Sequence, residues 1–286
     1  EPSVTAYATK EQLMDSTFAP SSSSGTAANV GVLAFGKNRA KKTQEWYILG
    51  KDKYVDGDNT VIFTVQEGII PLSISNKAQK FSTVTTDDRA YKASYGTYTK
   101  GTQPETVNSN HYGASELRAE LRRIASDTAC FSTAQQNLLN TITTTYALSR
   151  NDEYSYTNSD ILYAPAFRPD VSKEVLRIGT YDQIRIAKKV YWQTTMPTWT
   201  RSTINYYNSR LYAVAASWYT SCDLTDQLNK ACCAASNLNL TDVLFVSSAE
   251  AAASDTTVSG EIAQGTAMTL RLNGDGKDIG TVTCNA

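Results

Sequence analysis

The sequence predicts an α+β fold: a twisted antiparallel sheet with two helices and long irregular loops. Three observations predict it. Short apolar runs bounded by turn residues recur before residue 70 and again after residue 150. Between them, two segments carry apolar side chains at helical spacing behind capping residues. The remaining chain is rich in Tyr, Ser, Thr and Asn without an apolar period, as long loops are. At 286 residues, with 41% hydrophobic and 19% charged, the chain has the apolar content to fold rather than stay disordered.

Thr9-x-x-Gln12 ahead of Leu13 and Met14 is a capping-box pattern and predicts a short helix near the start. Pro20 and the Ser21-Ser22-Ser23-Ser24-Gly25 run read as a flexible linker, so residues 1–29 form an N-terminal helix and linker. The main domain is expected over 30–248. Val30 to Phe35, Trp46-Tyr47-Ile48-Leu49 and Val61 to Val65 read as strands, the last two joined through Asp56-Gly57-Asp58-Asn59. Leu117, Leu121 and Ile124 share one face of a helix over about 115–125. Ser132-x-x-Gln135 followed by Leu138, Leu139 and Ile142 predicts a second over about 132–143. Alternation from Leu211 to Tyr219 predicts a strand, and Leu238 to Val246 holds another. Residues 249–286 read as a linker and a terminal β-hairpin turning at Asn273-Gly274-Asp275-Gly276.

Charge and motif content exclude several functions. A formal net charge of -1 offers no field to draw nucleic acid. The run Lys37-Asn38-Arg39-Ala40-Lys41-Lys42 reads as a solvated loop. No apolar run reaches the ~20 residues of a membrane span. The opening Glu1-Pro2 without Met, and the Tyr/Thr/Ser/Asn-rich composition, lead us to expect a processed, secreted surface protein.

Five cysteines, Cys130, Cys222, Cys232, Cys233 and Cys284, match no zinc spacing; their order leaves both buried thiols and a disulfide framework open. Asn273-x-Asp275-Gly276-x-Asp278 lacks the distal Glu of a calcium loop and reads as a polar turn. No nucleotide, phosphate-loop or metalloprotease motif is present, and adjacent carboxylates such as Asp87-Asp88 do not converge on a strand. His111 is the sole histidine and the only imidazole available as a general base. The expectation is no catalytic residue, no metal and no cofactor.

One window stands apart. Residues 199–222 hold Trp199, Tyr206, Tyr207, Tyr212, Trp218 and Tyr219. Tyr206-Tyr207-Asn208-Ser209-Arg210 has no burial period, and Tyr, Ser, Asn and Arg together are what adaptable binding loops use. The expected ligand-binding residues are Asn205, Tyr206, Tyr207, Asn208, Arg210, Tyr212 and Tyr219.

Four segments in order also resemble a domain of unassigned function found in surface proteins of Clostridia and other Firmicutes. They are Glu45 to Leu49, Ser109 to Arg118 (SNHYGASELR), Trp199-Thr200-Arg201-Ser202, and Asn237 to Phe245. The chain departs from that pattern at Thr203, where Pro is usual, and at Cys232-Cys233-Ala234-Ala235, where VRPA is usual.

The resemblance covers roughly 30–248. The order of its segments is similar to the C-type lectin-like fold shared by formylglycine-generating enzymes and the variable proteins of diversity-generating retroelements. It implies that Trp199, Arg201 and His111 are structural, the last at a helix start. It also implies that residues 203–235 form a diversified face for a protein or glycan ligand outside the cell or on a phage particle. A structural wall or surface-layer module is the second expectation, and a formylglycine-generating-enzyme-like oxidoreductase the third.

Overall fold

The structure is a computed structural model that describes residues 7–15, 32–64, 68–71, 79–82, 89–147, 155–165, 198–203, 210–214, 220–224, 232–248 and 267–272. The chain starts with β1 (Tyr7–Thr9) and α1 (Lys10–Met14), then β2 (Val32–Lys37), β3 (Thr43–Gly50) and β4 (Asn59–Thr64). β5 (Arg89–Ala90), β6 (Thr97–Lys100) and β7 (Thr106–Val107) lead to α2 (Glu116–Ser126) and α3 (Thr133–Asn137). β8 (Leu139–Asn140), β9 (Ile142–Ala147) and β10 (Ser155–Asp160) follow. The last strands are β11 (Thr198–Thr203), β12 (Arg210–Val214), β13 (Thr220–Leu224), β14 (Ala235–Asn239), β15 (Val243–Ser248) and β16 (Ala267–Leu272).

Eight strands make one curled sheet in the order β1-β15-β16-β2-β3-β4-β14-β8. Its pairs are antiparallel except β16 with β2, which run parallel. Three segments that the sequence separates therefore share this sheet: β1 pairs with β15, and β16 lies between β15 and β2. Smaller sheets, β6-β10-β9, β11-β12-β13 and β5-β7, complete the mixed helix-and-sheet architecture.

Both predicted capping boxes form. Thr9 Oγ1 accepts from Gln12 N at 3.4 Å while Gln12 Oε1 accepts from Thr9 N at 2.9 Å. Ser132 and Gln135 exchange the same pair of bonds at 3.3 and 3.0 Å. In α2, Ser115 caps the first turn through Arg118 N, and Leu117, Leu121 and Ile124 are fully buried against the core. That core also holds Leu33, Phe35, Trp46, Ile48, Ile62 and Leu238 from the sheet.

Two sequence expectations are corrected. The second helix does not reach residue 143: α3 ends at Asn137, and the chain becomes β8 and β9. The run Ile142-Thr143-Thr144-Thr145 is β-branched and stiff at χ1, which favours the pleated strand. Leu139 meets its apolar neighbour by pairing opposite Leu238 rather than along a helix stripe. Nor is Leu211 to Tyr219 one strand, because β12 pairs antiparallel with β13, with Val214 opposite Thr220. Alternation alone does not distinguish one long strand from a strand and the start of a return. The Ser21–Gly25 linker and the terminal turn at Asn273 lie outside the described residues.

Candidate functional site

The predicted window begins on a firmly held strand. Trp199 is fully buried, its indole N–H donates to Gln79 O at 3.1 Å, and its ring lies 5.9 Å from that of Phe81. Thr200 and Arg201 are buried beside it, so both faces of β11 are covered from Trp199 to Arg201. Arg201 N donates to Pro165 O at 2.9 Å and its Nη1 to Ala164 O at 2.8 Å. Its guanidinium lies 5.5 Å from the Tyr163 ring centroid, a cation–π distance. Arg201 thus ties β11 to the segment that leaves β10.

From this anchor the sheet extends outward in register. Trp199 stands opposite Ala213, and a bulge follows before Thr203 pairs with Leu211. Arg210, Tyr212 and Val214 take the parity opposite to that of Ala213 and hence of Trp199.

Arg210 is opposite Leu224 at one end of the β12–β13 ladder, and Val214 is opposite Thr220 at the other. Asn205, Tyr206, Tyr207 and Asn208 enter β12 at the Arg210 end. Tyr219 precedes Thr220 in the sequence, and the two described ends of β12, Arg210 and Val214, are roughly 13 Å apart along the strand. Asn205 to Asn208 and Tyr219 lie outside the described residues, whereas Arg210 and Tyr212 have a backbone position in β12.

His111 lies at the entrance to the turn Tyr112–Ala114 that leads into α2. It is 2% exposed and stacks on Tyr156, centroids 4.2 Å apart and planes 13° apart. Tyr95 and Tyr98 face it at 6.4 and 6.5 Å between centroids. Burial pushes its pKa down to about 3, and the nearby Arg118 charge acts the same way, so the ring is neutral. Among the described residues, no hydrogen-bond partner reaches Nδ1. Among the described residues, the groups around the imidazole are the phenols of Tyr95, Tyr98 and Tyr156 and the Arg118 guanidinium.

The rest of SNHYGASELR is equally internal. Residues Ser109 to Ser115 are all buried. The Tyr112 hydroxyl accepts from Ala164 N at 3.1 Å, and Ser115 Oγ donates to Tyr112 O at 2.7 Å. Arg118 donates to Asp160 Oδ2, Ser94 O and Gly113 O at 2.8, 2.8 and 3.1 Å. Gly113 has no room for a side chain: a Cβ there would stand 1.6 Å from Tyr95 O.

Trp46 and Asn237, in the other two segments, behave alike. The indole of Trp46 donates to Phe35 O at 2.7 Å. Asn237 bridges Asn59 Oδ1 at 2.9 Å and the Asn140 amide at 2.7 Å.

Cys130, Cys232 and Cys233 are buried as thiols. Cys232 packs beneath Gly68, whose φ of 77° admits glycine readily and whose Cβ would lie 2.2 Å from Cys232 O. Burial pushes the Cys232 thiol pKa well up, the opposite of an activated thiolate. Among the described residues no group of three or more His, Cys, Asp or Glu could hold a metal ion. No helix there is long and apolar enough to cross a membrane.

Two clusters have no counterpart in the sequence reading. Tyr91, Tyr95 and Tyr98 pack edge to face around the His111 pocket. Tyr91-x3-Tyr95-x2-Tyr98 was the available signal, but its i, i+4, i+7 spacing is that of one helix face, whereas the chain here is a short turn (Ala93–Tyr95) followed by β6. Lys41, Asp127 and Cys130 meet at a surface turn across 89 residues of sequence, which leaves no local pattern to read. No family model matches the chain, and no curated protein or solved structure matches it.

Proposed function

We propose that this chain is a non-enzymatic extracellular binding module with a C-type lectin-like fold, and that its ligand face is built on the β11-β12-β13 sheet. The observation that carries this reading is the anchoring of β11. A strand buried on both faces at Trp199, Thr200 and Arg201 hands the chain directly to Asn205-Tyr206-Tyr207-Asn208 and returns it at Arg210. Binding residues are most effective when a rigid element fixes their two ends. Tyr212, on the parity opposite to Trp199, extends the same face. The ligand is a protein or glycan, recognised by aromatic contact and neutral hydrogen bonds, which suits a chain of net charge -1.

The test uses the fluorescently labelled full chain on a glycan array and on a panel of bacterial and animal cells. The double variant Tyr206→Ala/Tyr207→Ala should lose capture while keeping its Tm. A large fall in Tm would make these rings core residues. Equal capture by both proteins would leave the structural surface-layer reading in its place.

A further inference from the structure

The turn Asn38 to Lys42 between β2 and β3 lies against the turn Asp127 to Phe131 between α2 and α3. Lys37 N donates to Cys130 O at 2.7 Å, and Cys130 N donates to Asp127 O at 2.8 Å, so the sulfur is held in place by backbone bonds. Lys41 is the only non-glycine residue with positive φ among the described residues, at 65°. That backbone directs its side chain across the gap. Its Nζ lies 3.1 Å from Cys130 Sγ and 2.6 Å from Asp127 Oδ2. Asp127 Oδ2 is also 3.8 Å from the same sulfur. An amine nitrogen, an oxidisable sulfur and a carboxylate that orients the amine therefore share one site.

We propose that Lys41 and Cys130 form a reversible sulfur–nitrogen cross-link when the protein meets hydrogen peroxide. Cys130 is 2% exposed, its sulfur lying against Lys41 Nζ, Asn38 O and Asp127 Oδ2, while the Lys41 side chain is itself 43% exposed. Peroxide reaches the sulfur when that chain swings aside. In the first step the sulfur electron pair attacks one peroxide oxygen, the O–O bond breaks, and thiol plus peroxide become sulfenic acid plus water. In the second step the Lys41 ammonium gives one proton to a solvent base, while its contact with Asp127 keeps the nitrogen beside the sulfur. The freed nitrogen pair attacks the sulfur, the S–O bond breaks, and the departing hydroxide takes a second proton from nitrogen to leave as water. The product is a sulfenamide, with one N–H left on Lys41. Two equivalents of an external thiol reverse it, returning amine and thiol and giving one disulfide of the reductant. The link closes a long loop of chain, joining the β2–β3 turn to the end of α2, and so limits opening of this edge of the core.

The experiment treats the full chain with hydrogen peroxide, alkylates residual thiols, and maps peptides by mass spectrometry before and after dithiothreitol. The expected result is a peptide pair joined through Lys41 and Cys130, lighter by two hydrogens than its parts and separated by dithiothreitol. Lys41→Arg keeps the ion pair with Asp127 but should lose the linked peptide and let Cys130 advance to sulfinic acid. Cys130 alkylated as fully as before treatment, oxidised without linkage in the native chain, or joined through a bridge that retains oxygen would overturn the proposal.

Discussion

Lowering the pH from 7 to 5 protonates His111 in the unfolded chain but not in the folded one. The ring is stacked on Tyr156 and faced by Tyr95 and Tyr98, so a charge on it would be cut off from water, and it would stand near the Arg118 cation. Its pKa falls from 6.5 to about 3 on folding. Between those values the unfolded state binds one more proton than the native state, so stability falls as pH falls. The slope is about 1.4 kcal/mol per pH unit. From pH 6.5 to 5 the loss is about 2 kcal/mol, a large part of the margin of a typical domain. His111 is the only histidine, and Asp58 and Asp127 are shifted below the usual carboxylate range by their lysine partners. Above pH 5, therefore, His111 is the one imidazole that titrates, and these two carboxylates do not.

Guanidinium unfolding at pH 7, 6 and 5 measures the slope. The variant His111→Phe keeps a ring on Tyr156 without a titrating group and should show a much flatter profile. Titration of the native His111 Cε1 proton by NMR gives an independent reading if that variant folds poorly. A native stability that is level from pH 7 to 5, or a histidine titrating near 6.5 in the folded protein, would refute the reasoning.

Three further outcomes follow from the same geometry. Arg118→Met leaves Asp160 buried without its main partner and should cost about 3–5 kcal/mol in denaturant unfolding. Arg118→Lys should restore little of it, because one ammonium cannot serve Asp160, Ser94 O and Gly113 O together. Gly113→Ala forces a methyl against Tyr95 O and should cost roughly 3 kcal/mol or prevent folding, read as loss of soluble, thermally cooperative protein. Trp199→Ala should cost about 3–5 kcal/mol, and circular dichroism with thermal melting separates that core loss from the neutral effect expected at Tyr206 and Tyr207.

Much of the frame was legible because its signals are local. The capping boxes at Thr9 and Ser132, the stripe Leu117-Leu121-Ile124 and the β2–β3–β4 runs each declare themselves within a dozen residues. The failures are places where tertiary pairing overrides a local pattern. Leu138 and Leu139 fit a helix stripe, yet Leu139 is claimed by Leu238, about a hundred residues downstream. Residues 211–219 alternate, yet the return at Val214–Thr220 is set by pairing with β13. The insertion of β16 between β15 and β2 was unreadable for the same reason, since a parallel neighbour leaves no turn signal. The Lys41–Cys130 contact is wholly tertiary.

The segments that looked most distinctive in sequence bear on function in an unexpected way. Distinctive residues invite a functional reading, but Ser109 to Ser115, Arg118, Trp46, Trp199, Arg201 and Asn237 are all inside. For Trp46, Trp199, Arg118, Arg201 and Asn237 the specificity has a physical source: each makes a directional side-chain bond, such as an indole N–H to a carbonyl or a guanidinium to three acceptors. Such residues fix where strands cross and loops leave. Tyr206-Tyr207-Asn208, with no period and no internal partner implied by its pattern, is the converse case. If a chain is to change ligands without refolding, its variation must fall where the frame does not depend on it. The strands that flank the segment between Thr203 and Arg210 have holds of their own: β11 through Trp199 and Arg201, and β12 through its ladder to β13. Grafting an unrelated Tyr/Ser/Asn loop of equal length there should therefore leave the melting transition of the domain in place while abolishing or redirecting capture. A graft that unfolds the domain would show that the segment belongs to the frame.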